Sequence, residues 1–299
     1  MKKIVVILGP TASGKTDLSI RLAKRFNGEI VSADSRQIFK EMDVGTAKPK
    51  LRRGYFNKVR HHLINSLALN NELTVTIYKK LALKAIRDIQ KRGKLPFLVG
   101  GTGLYIRAVV DNLDFPKAVP DEKLRRKLEA KSLKDLFQLY KKLDPEGAKV
   151  IDKNNQRRLV RAIEVCLKTK QPFWQQRNKK KPLFRALEIG IRPSKTVLAS
   201  NIRRRTDQML RLGLEREAKK LFKKYGIASI LSQTIGYLEW LPQSEARPKQ
   251  QIIKEINNHS RQYAKRQLTW FKKDSRIIWL KPKDCFPKSI ELINRFITP

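Results

Sequence analysis

Lys15 and Thr16 close the octapeptide Gly9-Pro10-Thr11-Ala12-Ser13-Gly14-Lys15-Thr16, and Asp34 stands at the end of the next short apolar run, Ile30-Val31. An amine, a hydroxyl and a carboxylate so placed could bind a polyphosphate and move a proton beside it. Glycines let the chain turn until several backbone N–H groups point into one hollow. The start of a helix adds free N–H groups and the positive end of its dipole. Lys15 brings a point charge, and the Thr16 hydroxyl suits Mg²⁺. This is the spacing of a P-loop, an ATP-binding motif, and it leaves open which diphosphate or longer polyphosphate is held. Asp34 reads as a general base or a Mg²⁺ partner, or else as the N-cap of the turn that follows. Arg36 and Gln37 beside it suit the edge of a base, or no ligand at all.

The elements that must position these residues alternate in type. Ile4 to Leu8 is an apolar strand before the loop, and Asp17 to Phe26 is an amphipathic stretch after it. Thr74 to Arg92 has helical spacing, with Val75, Tyr78, Leu81, Ala82, Ala85, Ile86 and Ile89 on one face. Pro96 to Val99 is a buried strand that runs into Gly100-Gly101-Thr102-Gly103, a second glycine-rich turn. Strands alternating with helices predict an α/β fold, a P-loop NTPase-like parallel sheet flanked by helices. In such sheets ligands bind outside the carboxyl ends of the strands, where the loop, Asp34 and the second turn all fall. An ordinary ATPase would end this third strand in an acid, so glycines there argue against one. Thr102 could bond a ligand or merely cap the next helix.

From Val119 to Pro182 only helical patterns occur, which predicts an all-helical insertion at 119–182 within a core of 1–118 and 183–299. Its stripes of Leu124, Leu128, Leu136 and Leu139, and of Leu159, Ala162, Ile163 and Cys166, leave Arg157 and Arg161 on another side. Arg157, Arg158 and Arg161 beside Gln156 suit phosphate and base contacts, although such faces are usually only solvated. Asn178 to Lys181 reads as a basic linker. Phe184 to Ile191 is a returning strand, Gln250 to Lys273 a long helix, Ile277 to Leu280 a last strand and Ser289 to Phe296 a last helix. Ile235-Gly236-Tyr237 reads as a break with an exposed aromatic. In the long helix, Ile252, Ile256, Tyr263, Leu268 and Trp270 mark the buried side.

The chain has 299 residues, with 67 Lys and Arg against 27 Asp and Glu, a formal net charge of +40. Such a charge self-repels unless something anionic compensates it. Nucleic acid leads an anionic membrane surface as the partner, and general Lys enrichment contributes, since the charge is spread along the whole chain. Cys166 and Cys285 lie far apart, and His61, His62 and His259 lack metal-site spacing, so neither a disulfide framework nor a zinc site is expected. No apolar span approaches the ~18 residues of a membrane helix, and the five-residue run after Lys2-Lys3 is too short for a signal peptide. A cytoplasmic monomer without membrane attachment is the expectation.

Taken together, Gly9 to Thr16, Val31-Ser-Ala-Asp34-Ser35-Arg36-Gln37, Asp43-Val-Gly45-Thr46-Ala-Lys48-Pro49, Gly100-Gly-Thr102-Gly-Leu-Tyr105, Asp144-Pro-Glu-Gly-Ala148, Arg157 to Val165, Ile235-Gly-Tyr237 and Gln262 to Phe271 closely resemble the bacterial type of tRNA dimethylallyltransferases. The resemblance runs in order from residue 4 to about 271. It implies transfer of a dimethylallyl group from dimethylallyl diphosphate to the exocyclic N6 amine of the adenosine 3′ to the tRNA anticodon, with Mg²⁺ as cofactor and the anticodon stem-loop as partner. It implies that Gly9 and Thr11, Ala12, Ser13, Gly14, Lys15 and Thr16 cradle the diphosphate, that Thr16 ligates the metal, and that Arg205 supports the leaving charge. Asp34 becomes the base, and Asp34, Ser35, Arg36, Gln37 and Thr102 hold the flipped adenosine and its neighbours. Contacts to tRNA fall on Arg125, on Gln156, Arg157, Arg158, Leu159 and Val160, on Gln233, Gly236 and Tyr237, and on Lys265, Arg266, Gln267, Trp270 and Lys272.

Three segments depart from the family pattern. Asn65 stands where His-His-Leu-Ile is usually followed by Asp, Ile151-Asp152-Lys153-Asn154-Asn155 replaces a typical Ile-His-Pro-Asn-Asp, and Arg205-Thr206-Asp207 replaces Arg-Val-Asp. Two other enzyme readings compete. A P-loop kinase of a small metabolite explains the loop and Asp34 but not the basic insertion; prenyl transfer to free adenine nucleotides has little use for that insertion. A non-enzymatic RNA-binding protein would leave Asp34 and the loop idle.

Overall fold

Residues Ile4 to Leu8 are all buried, and they serve two cores by alternation: Ile4, Val6 and Leu8 enter one, Val5 and Ile7 the other. Burial on both faces is what a central parallel strand requires. The structure is a computed structural model, and it describes residues 2–116, 118–176, 180–242 and 247–298.

In the first unit, Met1–Val110 with Leu183–Pro299, the strands are β1 (Lys3–Leu8), β2 (Gly28–Ala33), β3 (Tyr55–Phe56), β4 (Val59–His62), β5 (Leu95–Gly100), β6 (Arg185–Ile191) and β7 (Ile278–Leu280). They form one sheet in the order β3-β4-β2-β5-β1-β6-β7, parallel except for the β3–β4 hairpin. Helices α1 (Lys15–Arg25) and α11 (Cys285–Ile297) cover one face through Leu18, Leu22, Cys285 and Ile293. On the other face lie α2 (Val75–Lys91) and α3 (Gly103–Val110), with Tyr78, Ala82, Ile86 and Ile106 in the core, joined by α9 (Leu214–Tyr225) and α10 (Lys249–Phe271). Each buried Leu or Ile side chain contributes roughly 1.5–3 kcal/mol. Helix α8 (Lys195–Arg211) packs Leu198 and Ile202 against Ala264 of α10.

The register sets up the site. Leu8 pairs with Gly100, and Gly100 with Ala33, so β1, β5 and β2 end level. Because β5 lies between β1 and β2, the turns after these three strands stand in a row. The Thr74 hydroxyl caps α2 by accepting the Ile77 N–H (3.2 Å), which stops the helix where its apolar spacing begins.

The second unit, Asp111–Pro182, contains α4 (Glu122–Glu129), α5 (Leu133–Leu143), α6 (Pro145–Val150) and α7 (Gln156–Thr169) around Leu128, Leu136, Tyr140, Leu159 and Ile163. It begins after Val110 rather than at 119. Asp144 is its hub: buried, it accepts the Tyr140 hydroxyl (2.8 Å), the Gly147 N–H (2.9 Å) and the Trp174 N–H (2.8 Å). Asn178 and Lys179 of the expected basic linker lie outside the described residues. Both cysteines are buried and free. Among the described residues, no helix is long and apolar enough to cross a membrane.

Two expectations fail. Tyr237 is fully buried, because its hydroxyl finds Glu217 (2.6 Å) inside the fold. Trp270 is 47% exposed, and Phe271 fills the core position at the end of α10 instead.

Candidate active site

The loop after β1 owes its shape to its backbone. Gly14 has φ +90°, a conformation that costs glycine nothing. Ala12 also has a left-handed φ (+59°), and Asn201 of α8 holds it there by donating to the Ala12 carbonyl (3.1 Å). The Ser13 hydroxyl is buried with no partner. An orphaned buried hydroxyl inside a glycine loop fits a loop made to receive an anion.

Lys15 Nζ donates to the Pro10 carbonyl (2.5 Å). Burial, and next to it the Arg205 charge, push its pKa down to about 7, against the opposing pull of Asp34. Arg205 on α8 donates to Thr11 Oγ1 (3.1 Å) and to the Thr46 carbonyl (3.0 Å). Two cations confined beside each other in a partly dry site favour an anion between them.

Asp34, just past β2, accepts the N–H groups of Arg36 (2.8 Å) and Gln37 (3.2 Å) on Oδ1. The capping reading is therefore correct for that oxygen. Oδ2 accepts no hydrogen bond from the described residues, which leaves a lone pair for a proton. Thr102, past β5, ties the turns together: its N–H donates to the Ala33 carbonyl (3.2 Å), and its hydroxyl accepts the Ser35 N–H (3.2 Å). Tyr263 of α10 lines the same site as Asp34, and burial followed by the Asp34 charge pushes its pKa up to about 12. It stays a neutral hydroxyl at working pH.

These residues open on two adjoining cavities that share Thr11, Asp34, Arg205 and Tyr263. The larger, about 430 Å³, is also lined by Ala12, Ser35, Arg36, Gln233, Gly236 and Arg266. The smaller, about 80 Å³, is lined by Lys15, Thr16, Gln37 and Gln267. The loop after β1 thus meets a roomier chamber at a carboxylate. Among the described residues, no group of three His, Cys, Asp or Glu could hold a metal. The Thr16 hydroxyl and the Asp34 carboxylate on one small cavity suit Mg²⁺, which keeps waters and phosphate oxygens as its other ligands.

Several expected tRNA contacts sit elsewhere. Gln267 is buried, with Oε1 accepting the Thr11 N–H (2.8 Å) and Nε2 donating to the Gly101 carbonyl (2.9 Å), so its amide bridges the two glycine turns. Tyr237 lies inside the core. Trp270 lies against Gly103, while Lys265 on α10 and Lys272 just past its end are exposed. In the insertion, Leu159 and Val160 are core residues whose side chains face inward. Gln156 donates to the Glu129 carbonyl (2.9 Å), and Arg157 and Arg158 are exposed at the start of α7. Arg125 grips Glu164 through two hydrogen bonds (2.9 and 3.0 Å).

The departures are accommodated locally. Asn65 Oδ1 accepts Lys48 Nζ (2.7 Å), and Asn155 caps α7 by accepting the Arg158 N–H (3.1 Å). Sequence reasoning missed Asn201, Thr46 and Glu217 and placed Tyr263 only in the core. The helical stripe that carries Tyr263 was the one available signal.

The family model described as IPP transferase matches residues 37–274. The chain belongs to this family. A curated relative from Acetivibrio thermocellus, a tRNA dimethylallyltransferase, is 40% identical over 303 residues, 98% of this chain and 96% of its own. The crystal structure of the full-length tRNA isopentenylpyrophosphate transferase from Bacillus halodurans superposes with a TM-score of 0.72 at 38% identity, covering 99% of this chain and 96% of that one. A eukaryotic dimethylallyltransferase, captured acting on tRNA, gives a TM-score of 0.83 at 28% identity over 99% of this chain and 80% of that one.

Proposed function

We propose that this enzyme transfers a dimethylallyl group from dimethylallyl diphosphate to tRNA, at the exocyclic N6 amine of the adenosine 3′ to the anticodon, and releases diphosphate. The observation that carries the reading is the meeting of the P-loop cavity and the larger chamber at Asp34 and Arg205. The family's relatives act on tRNA by name and, in one crystal structure, by capture.

An aromatic amine is a weak nucleophile, so its proton must leave as the new C–N bond forms. Asp34 Oδ2 is the acceptor for that proton. Meanwhile the allylic carbon develops positive charge and the C–O bond to diphosphate breaks. The loop amides, the Ser13 hydroxyl, Lys15 and Arg205 take up the charge on the leaving diphosphate. Thr16 would hold Mg²⁺, which supplies further positive charge to the same oxygens. Arg36, whose Nη2 reaches the Gln233 carbonyl (3.4 Å), and Tyr263 frame the chamber for an extruded base. The chain as a whole is strongly basic, which suits a polyanionic acceptor. The insertion residues Arg157 and Arg158, the α10 residues Lys265 and Arg266, and Lys272 just past α10 are the proposed backbone contacts.

The product tests this. tRNA treated with donor and Mg²⁺ is digested to nucleosides and resolved by mass spectrometry. N6-dimethylallyladenosine from the position 3′ to the anticodon is expected; a prenyl group on any other nucleoside would reject the assignment.

A further inference from the structure

The turn from Asp43 to Thr46 is held from a distance. The carboxylate of Glu217, on α9, accepts the N–H groups of Asp43 (3.3 Å), Val44 (2.9 Å) and Gly45 (3.0 Å), and also the Tyr237 hydroxyl (2.6 Å). Among the described residues Glu217 forms no salt bridge, so backbone amides and one phenol carry its charge directly. Hydrogen bonds to an ionised acceptor are roughly twice as strong as neutral ones. Burial and the Glu217 charge push the Tyr237 pKa up, so the phenol remains a donor. The packing leaves no slack: a Cβ on Gly45 would stand 2.4 Å from the Tyr237 ring.

The next carbonyl in this turn is the one that aims the site's arginine. Thr46 C=O accepts Arg205 Nη2 (3.0 Å) and Gln37 Nε2 (3.2 Å), and the Thr46 hydroxyl closes the turn on the Met42 carbonyl (2.5 Å). Glu217 touches neither cavity. Yet it fixes the turn that orients Arg205 toward Thr11, and through Tyr237 it anchors the segment that brings Gln233 and Gly236 to the larger chamber.

We infer that Glu217 is a positioning residue for the transfer: it locks the Asp43–Thr46 turn so that the Thr46 carbonyl presents Arg205 to the leaving diphosphate. The inference rests on the role proposed for Arg205. An ordinary surface glutamate would contribute to helix α9 and leave diphosphate binding alone.

The test is a double-mutant cycle on the full chain, read as the affinity for inorganic diphosphate with Mg²⁺ by calorimetry and as kcat at saturating donor and tRNA. Arg205→Lys is expected to weaken diphosphate binding about tenfold, since a lysine cannot bridge Thr11 and Thr46 as the fork does. Glu217→Gln, which replaces one acceptor oxygen with a donor facing the turn, is expected to weaken it about threefold to tenfold. The double variant should bind about as Arg205→Lys does, because the carboxylate acts through the guanidinium. Full additivity would overturn the inference while leaving the site intact; an Arg205→Lys protein that binds normally would remove the reading beneath it. Tyr237→Phe deletes only the phenol donor and serves if Glu217→Gln folds poorly. It should show a smaller loss with the same lack of additivity against Arg205→Lys, and additivity there would overturn the inference equally.

Discussion

The turn after β1 and the turn after β5 share a plan: an apolar strand, glycines, a threonine and the start of a helix. Their polar groups meet different fates. In the first, the Ser13 hydroxyl is buried without a partner, Lys15 is a desolvated amine, and Thr11, Lys15 and Thr16 open on a cavity. In the second, the Gly101 carbonyl is taken by Gln267, the Thr102 N–H by Ala33, and the Thr102 hydroxyl by Ser35. One turn is left unfinished for a ligand; the other is completed by the protein and serves as a wall. A glycine-rich strand-to-helix turn makes a hollow available, and the surrounding side chains decide whether it stays open.

The variants that probe this contrast rank by how directly they touch the reacting groups. Asp34→Ala should lower kcat by about 10²–10⁴-fold, the usual worth of a general base, with tRNA affinity retained in a filter-binding assay. Unchanged turnover would remove Asp34 as the base. Lys15→Ala empties the open turn of its charge and should cost about 10²–10³-fold in kcat, with weaker diphosphate binding; a loss of stability alone would mean that this turn, too, is only structural. Gln267→Ala opens the closed turn. It leaves the Thr11 N–H and the Gly101 carbonyl without their bridge and should cost about 1–3 kcal/mol in urea unfolding, with a modest fall in activity. Equal stability would show the bridge to be idle. The smallest effect belongs to the exposed rim: Lys265→Ala should reduce the salt dependence of tRNA binding by about one ion, and an unmoved slope would exclude that contact.

Local chemistry was the most legible part of the sequence. The P-loop and Asp34 could be placed because an apolar run, a glycine corner and a strand end are short-range signals. The alternation of strand and helix likewise gave the parallel sheet. Glu217 and Asn201 were invisible because each reaches a loop far away in sequence, and no spacing rule connects a helix residue to a backbone turn that it caps. Tyr237 was misread for the same reason: beside Gly236 it looks like a loop aromatic, and only Glu217 makes its burial affordable. Trp270 and Phe271 are neighbours on one helix, so a shift of one residue in the buried stripe exchanged their roles. Leu159 and Val160 followed the apolar spacing of α7 into the core, where the resemblance alone had assigned them to RNA.

The central claim is that the open turn holds a leaving diphosphate while a tRNA base attacks. Isotopically labelled dimethylallyl diphosphate and Mg²⁺, offered to the enzyme with unmodified tRNA and AMP in competition, address it most directly. The label should enter tRNA and leave AMP unlabelled; label in AMP with none in tRNA would contradict the account.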